Sequence, residues 1–307
     1  MPRELFGSGH EFMHRTDLLS FEEIARLAGI FMEAGTQKIR VTGGEPLLRS
    51  DLDQLIRLLK QDVGISDLTL TTNGSRLSAS VAALKSAGLA RLTVSLDALD
   101  DETFQKMNDV RFPVHRVLEG IEAAVDAGFA PVKINAVIRR GVNEHAIKDL
   151  ACRFSGSGYV MRFIEYMDVG NTNDWSFSDV VTADEIAAHI EASQGKLTAL
   201  PPLYLGEVAR RFRTAAGGEI GIIASVTQPF CAHCNRARLT ADGRLFTCLF
   251  SSQGVDLKEP LRAGASDNDI FQLVYETWTN REDRYSELRS SSTSPRLAKV
   301  EMSAIGG

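Results

Sequence analysis

Three of the four cysteines in this 307-residue chain fall in one stretch: Cys231 and Cys234 as a CxxC, then thirteen residues, then Cys248. Soft thiolates brought back to one corner by a hairpin suit a metal centre, and the candidates are zinc and an iron–sulfur cluster. Structural zinc normally takes four ligands, and His233, inside the CxxC, is badly placed to fold back as the fourth. Three thiolates suit a 4Fe–4S cluster with one iron left open for another ligand. Asn235-Arg236-Ala237-Arg238 follows directly. Arg236 and Arg238 are expected on one strand face, a pair of guanidinium forks suited to phosphate or carboxylate. Cys152 stands alone on an expected helix and reads as core packing. A second group lies far upstream, where Gly43-Gly44-Glu45-Pro46 ends a strand and its glycines let a ligand approach the backbone. Arg40, Thr71, Ser95 and Lys133 stand toward the C-terminal ends of successive strands, the active-site face of parallel α/β barrels.

The elements that position these residues follow a repeated grammar. Ser20 with Glu23 forms a capping box, and Phe21, Ile24, Leu27, Ala28 and Phe31 keep helical spacing up to Gly35. Strands are expected at 39–42, 68–72, 92–96, 132–138 and 159–166, each entered after a glycine-terminated helix. Side chains alternate faces along a strand. One phase is apolar: Ile39 and Val41; Leu68 and Leu70; Leu92, Val94 and Leu96; Val132, Ile134 and Ala136. The other is polar: Arg40, Thr42 and Gly44; Thr69, Thr71 and Asn73; Thr93, Ser95 and Asp97; Lys133 and Asn135. A parallel sheet covered on both faces should be apolar on both phases. The pattern therefore predicts a complete or incomplete barrel with helices outside and a polar ligand inside; an antiparallel sheet with one wet face is the alternative. The fifth strand breaks the rule, since Arg162 shares a face with Ile164 and Tyr166 while Glu165 and Met167 lie opposite, which calls for a bulge or for backbone contacts at Met167.

After Gly170 the character changes. Residues 171–178 read as a loop, 182–193 as a helix capped by Thr182, and 241–243 as a hairpin turn between strands 238–240 and 244–249. A last helix is expected over 267–288, then a Ser-rich link at 290–294 and a Gly306-Gly307 end.

Composition bounds the function. Lys and Arg number 34 against 40 Asp and Glu, a net charge of −6, which opposes broad nucleic-acid binding and asks a local basic site to meet any anion. At 44% hydrophobic and 24% charged residues the chain reads as a soluble globular protein. Its length suits two domains, or one α/β barrel with an appendage. No apolar run reaches the roughly 18 residues of a membrane span, and the N-terminus lacks the apolar core of a signal peptide, so no membrane and a cytoplasmic location are expected.

The segments TGGEPLLR (42–49), TTNG (71–74), VSLDAL (94–99), MRFIEYMDVG (161–170), QPFCAHCNRARLTADGRLFTCLF (228–250) and the terminal GG resemble the MoaA-type GTP 3′,8-cyclases of molybdenum-cofactor biosynthesis, a radical S-adenosylmethionine (SAM) family. The likeness spans essentially the whole chain. It implies an α/β fold: an incomplete (β/α)6 TIM-like barrel over 1–170, here without its first strand, and a C-terminal cluster-binding extension over 171–307. It also implies GTP at Arg40, Thr71, Lys133, Arg236 and Arg238, and SAM at Gly44, Ser95 and Met167. Cys231, Cys234 and Cys248 would hold a 4Fe–4S cluster facing the guanine, with Arg236, Arg238 and a tail ending in Gly306 and Gly307 assisting catalysis. The implied reaction is hydrogen abstraction from ribose C3′ by a 5′-deoxyadenosyl radical and closure of C3′ onto C8, giving (8S)-3′,8-cyclo-7,8-dihydroguanosine 5′-triphosphate. An electron donor, a homodimer and a cyclic pyranopterin monophosphate synthase that takes the product are the partners implied.

One departure stands out. The family's N-terminal CxxxCxxC, ligands of a second 4Fe–4S cluster that cleaves SAM, is absent from these 307 residues. The expectation is a start placed at an internal Met or a truncated gene, and a chain inactive as written. Two other readings compete: a non-catalytic remnant that binds GTP and one cluster, and a different radical SAM enzyme with an auxiliary cluster, such as a peptide-modifying maturase. The paired arginines and the Gly-Gly end favour the cyclase over the maturase.

Overall fold

The computed structural model describes residues 13–109, 111–170, 175–289 and 300. Ser20 caps α1 (Phe21–Glu33) reciprocally: its hydroxyl accepts from the Glu23 N–H at 3.1 Å, and the Glu23 carboxylate accepts from the Ser20 N–H at 2.7 Å. Beyond it run β1 (Lys38–Val41), α2 (Leu52–Gln61), β2 (Asp67–Thr72), α3 (Leu77–Ser86), β3 (Arg91–Ser95), α4 (Asp101–Asn108) and α5 (Val114–Asp126). Next come β4 (Val132–Ile138), α6 (Ile147–Arg153), β5 (Tyr159–Glu165), α7 (Ala183–Gln194), β6 (Thr198–Leu200), β7 (Arg210–Arg213) and β8 (Glu219–Ile223). Strands β1 to β5 pair in chain order, all parallel, as helical crossovers require. Strand β8 adds to β5 in parallel, and β7 and β6 finish the sheet antiparallel, so one mostly parallel sheet continues past residue 170.

The two phases separate as the alternation requires. Leu68, Leu70, Leu92, Val94, Val132, Ile134, Met161 and Phe163 are fully buried in the main core. On the other phase, register sets Thr71, Thr93 and Lys133 in one row across β2, β3 and β4, and Ser95, Asn135 and Arg162 in the next row toward the strand ends. Pairing of β5 with β4 runs unbroken from Tyr159 to Glu165, so no bulge intervenes there. Glu165 lies on the outer, helix side. It is fully buried and accepts from the N–H groups of Ala183, Val226 and Thr227, each at 2.8 Å, and from the Thr227 hydroxyl at 2.5 Å.

The C-terminal elements return to the first helix. Strands β9 (Arg238–Leu239), β10 (Arg244–Phe246) and β11 (Val255–Asp256) form a small antiparallel sheet, followed by α8 (Lys258–Arg262), α9 (Asp267–Thr279) and α10 (Tyr285–Leu288). Leu245, Leu257, Leu261, Ile270 and Val274 close a second core on Leu19, Leu27 and Ile30 of the α1 region. Polar ties reinforce it: Leu19 N–H donates to Ala241 O at 2.8 Å, and Arg26 and Arg262 pair with Asp267 and Glu23 at 2.7 and 2.8 Å.

Four expectations need correction. Lys133 is the second residue of β4 and so lies toward that strand's N-terminal end, deeper than the rim. The last helix is two pieces: α9 ends at Thr279, Arg281 turns to the Cys234 carbonyl, and α10 begins at Tyr285. Arg236 precedes β9 rather than sharing its strand face with Arg238. Cys152 lies on α6 as expected, but it is exposed rather than core. Among the described residues, no helix is long and apolar enough to cross a membrane.

Candidate active site

The C-terminal strand ends are fixed by polar stitching. The Glu45 carboxylate of the GGEP turn accepts from the Leu47 N–H (3.0 Å), the Thr72 hydroxyl (2.7 Å) and the Asn73 N–H (2.7 Å), which locks the end of β1 to that of β2. Gly43 has φ 139°, in the region that favours glycine, and so begins this turn. Buried Asn143 does the same one strand over, donating to Asp97 O at 3.0 Å and Val137 O at 2.8 Å while accepting from the Arg139 N–H at 2.8 Å. Asp97 accepts from the Val137 N–H at 2.8 Å; burial, against that hydrogen bond, pushes its pKa up to about 6. Gly44, Ser95 and Met167 all stand at this same edge, after β1, at the end of β3 and after β5.

Below that rim the wall is cationic. Arg40 donates to the Thr71 hydroxyl at 2.6 Å and the Thr93 hydroxyl at 3.2 Å, reaching across three strands. Burial, and then the neighbouring Arg91 charge, lower its pKa. Lys133 is brought down to about 8 by burial and then by Arg162, Arg91, Lys38 and Arg40. Lys38 falls to about 8 through burial, Arg40 and Arg91, and Arg162 to about 10 through burial and Arg40. Such mutual depression is what like charges enclosed together must show, and a polyanion would relieve it. Buried atoms still in want of partners point the same way. Arg162 Nε and Arg236 Nε, both donors, have no hydrogen-bond partner among the described residues.

The cysteine-bearing loops join this wall. Arg236 is close enough to lower the pKa of Arg40. Its guanidinium donates toward Cys234 Sγ at 3.6 Å and lies 4.9 Å from the Phe230 ring centre. Arg238 is brought to about 10 by burial and Arg236, against the attraction of Cys248 and Cys234. Burial, the largest single cause, raises the Cys234 thiol, but the charge and hydrogen bonds of Arg236 together with Arg281 outweigh it and the net shift is downward; Cys248 is raised by burial. All three thiols are unbridged and half-buried. No three His, Cys, Asp or Glu side chains among the described residues are grouped to hold a single metal ion. Three soft thiolates beside guanidinium groups are a donor set that fits an anionic cluster.

The expected GTP set, Arg40, Thr71, Lys133, Arg236 and Arg238, is thus brought into one neighbourhood, and Cys231, Cys234 and Cys248 border it. Gly306 and Gly307 lie outside the described residues. Sequence reading passed over Lys38 and Arg162. Lys38 keeps the parity of Arg40, and a strand begun one residue earlier includes it. Arg162 is made room for by Gly221 of β8, where a Cβ would come within 3.0 Å of its Cγ.

This polar-lined α/β architecture with a thiolate corner is that of a radical SAM enzyme: residues 6–152 match the Radical SAM superfamily, and residues 159–287 match Molybdenum Cofactor Synthesis C. Among curated proteins, the GTP 3′,8-cyclase of Acidothermus cellulolyticus is 49% identical, covering 100% of this chain and 91% of its own length. Those of Staphylococcus carnosus (43% identical; 100% and 91% covered) and Xanthomonas axonopodis pv. citri (48%; 94% and 86%) are similar. The chain belongs to the GTP 3′,8-cyclase family of radical SAM enzymes in molybdenum-cofactor biosynthesis.

Proposed function

We propose that the cavity binds GTP with its triphosphate on the cationic wall and converts it, with SAM, to (8S)-3′,8-cyclo-7,8-dihydroguanosine 5′-triphosphate. The observation that carries this reading is the enclosed cluster of Lys38, Arg40, Lys133 and Arg162, whose pKa values are depressed by burial and by one another. Lys133 and Arg162 supply charge from the floor. Arg40, prepaired with Thr71 and Thr93, presents a guanidinium that needs little ordering on binding. Arg236 and Arg238 close the site from the cysteine side. Gly44, Ser95 and Met167 are assigned to SAM, whose radical chemistry on ribose C3′ begins the cyclisation. Cys231, Cys234 and Cys248 would hold a 4Fe–4S cluster that offers an open iron to the guanine. Gly306 and Gly307 would complete the site. Residues 1–170 would form the incomplete barrel and 171–307 the cluster-binding extension; a homodimer, a cytoplasmic location, an electron donor and a downstream synthase remain part of this reading.

Four cysteines are present, and three are assigned to the C-terminal site. No CxxxCxxC set is left for a SAM-cleaving cluster, so these 307 residues by themselves should bind GTP without cleaving SAM. Anaerobic reconstitution with SAM, GTP and dithionite tests both halves. The 307-residue chain should yield no 5′-deoxyadenosine, and the same chain preceded by a CxxxCxxC segment from a relative should yield 5′-deoxyadenosine and the cyclised nucleotide. Deoxyadenosine without cyclised nucleotide from the extended chain would refute the cyclase assignment.

A further inference from the structure

The loops that carry the three cysteines have little regular structure of their own. Cys231–His233 is a single 3-10 turn, and β9 is two residues long. The segment after α9 touches each of them. Arg281 donates to Cys234 O and stacks over Trp278, with its guanidinium carbon 3.6 Å from the ring centre. Glu287 accepts from the Ala232 N–H, inside the CxxC, at 2.9 Å, and is itself held by Arg284 at 2.7 Å. Tyr285 stacks on Phe250 at 4.4 Å between ring centres, and the Phe250 N–H donates toward Cys248 Sγ at 3.5 Å.

The same segment is tied to the barrel rim chiefly at Asp168, and Arg289 also donates to Ser225 O, just past β8, at 3.5 Å. Asp168, next to Met167, accepts from the Tyr285 hydroxyl at 2.6 Å and meets Arg289 at 2.6 Å. The Arg289 contact is a close charge pair without hydrogen-bond geometry. The Arg289 side chain is only 4% exposed, and its guanidinium carbon lies 5.3 to 5.6 Å from the rings of Phe250, Tyr285 and Trp175. Trp175 in turn donates from its indole N–H to Tyr166 O at 2.8 Å. A rim carboxylate, a rim indole and two rings from the cysteine side therefore enclose one guanidinium.

We propose that residues 281–289 are a brace that fixes all three cysteines against the barrel rim, with Arg281, Tyr285, Glu287 and Arg289 as positioning residues and Asp168 as the anchor. The brace sets where the thiolates stand relative to the cationic wall, and it rests on the reading of Cys231, Cys234 and Cys248 as cluster ligands. Because the anchor lies beside Met167, a shift in the cysteine loops and a shift in the SAM-proximal rim should travel together.

The test uses cysteine alkylation in the anaerobic, iron-free chain, with exposed Cys152 on α6 as the internal reference. Asp168→Asn, Arg289→Gln and the milder Tyr285→Phe should each raise alkylation of Cys231, Cys234 and Cys248 relative to Cys152, by about three-fold or more for the first two, as expected when a local opening becomes easier. Asp168→Asn with Arg289→Gln should do less than the two single effects combined, since both lose the same Asp168–Arg289 contact. In the iron-loaded chain the same variants should release iron to a chelator faster. Unchanged alkylation ratios in all three variants, or additive effects in the double variant, would overturn the brace. Failure of the cluster reading looks different: the wild-type chain would then take up no iron, while the alkylation pattern would still follow the variants.

Discussion

Arg40 and Arg238 face the same cavity but are held there by different means. Arg40 comes from a strand, and its partners Thr71 and Thr93 come from the next two strands, so parallel register alone brings them together. Arg238 starts a two-residue strand beyond a cysteine loop with little regular structure, held from outside by Glu287 and Arg281. The barrel wall is organised by backbone pairing and a deep apolar core. The thiolate corner is organised by side-chain contacts from a distant segment. The wall should therefore resist local change, and the corner should depend on its contents.

The largest contrast is expected from the corner. Cys248→Ala should abolish iron uptake at the C-terminal site, with the iron content of the reconstituted chain falling from about four atoms to background. Thermal unfolding of the iron-free variant should stay close to that of the iron-free wild type. On the wall side, Leu70→Ala removes a fully buried residue of the main core and should cost about 2–5 kcal/mol in urea unfolding. Iron uptake normal in Cys248→Ala, or a Leu70→Ala cost below about 1 kcal/mol, would erase the contrast.

Removal of single charges comes next. Arg238→Ala should weaken GTP binding by roughly 1.5–3 kcal/mol, the worth of a hydrogen bond to a charged group, read by anaerobic titration calorimetry. The smallest effect is with pH. Lys38 and Lys133 have pKa values of about 8 in the folded chain against 10.5 ordinarily, with burial the leading cause. The unfolded chain therefore holds more protons between pH 8 and 10.5, so these two groups make stability rise with pH across that window. GTP affinity should move the opposite way, falling above pH 8 as the ammonium charge is lost. Binding near pH 8 should take up protons, visible as a dependence of the calorimetric heat on buffer ionisation. Proton-neutral binding at that pH would mean that the two lysines do not meet the phosphates.

The same contrast explains what the sequence made legible. Wall residues followed from period-two alternation, because a strand's side-chain phase is a local property: Arg40, Thr71, Ser95 and Lys133 were found that way. Lys38 escapes the pattern because β1 starts one residue before its first apolar position, Ile39. Arg162 was assigned by its apolar neighbours Ile164 and Tyr166, although its side of β5 faces the other cations. Nothing local signals the corner's bracing. Residues 281–284 read as helix because Arg and Glu favour helices, yet Arg281 leaves the helix for a partner at Cys234. Tertiary contacts outweighed propensity there, and no pattern in a single sequence records contacts between residues 47 to 117 positions apart.

The central claim is that the cationic wall reads a triphosphate. Anaerobic titration of the chain with GTP and with guanosine, side by side, tests it most directly. Several charge-assisted contacts to the phosphates should make GTP bind at least about 100-fold more tightly than guanosine. Equal affinities for the two ligands would contradict the account.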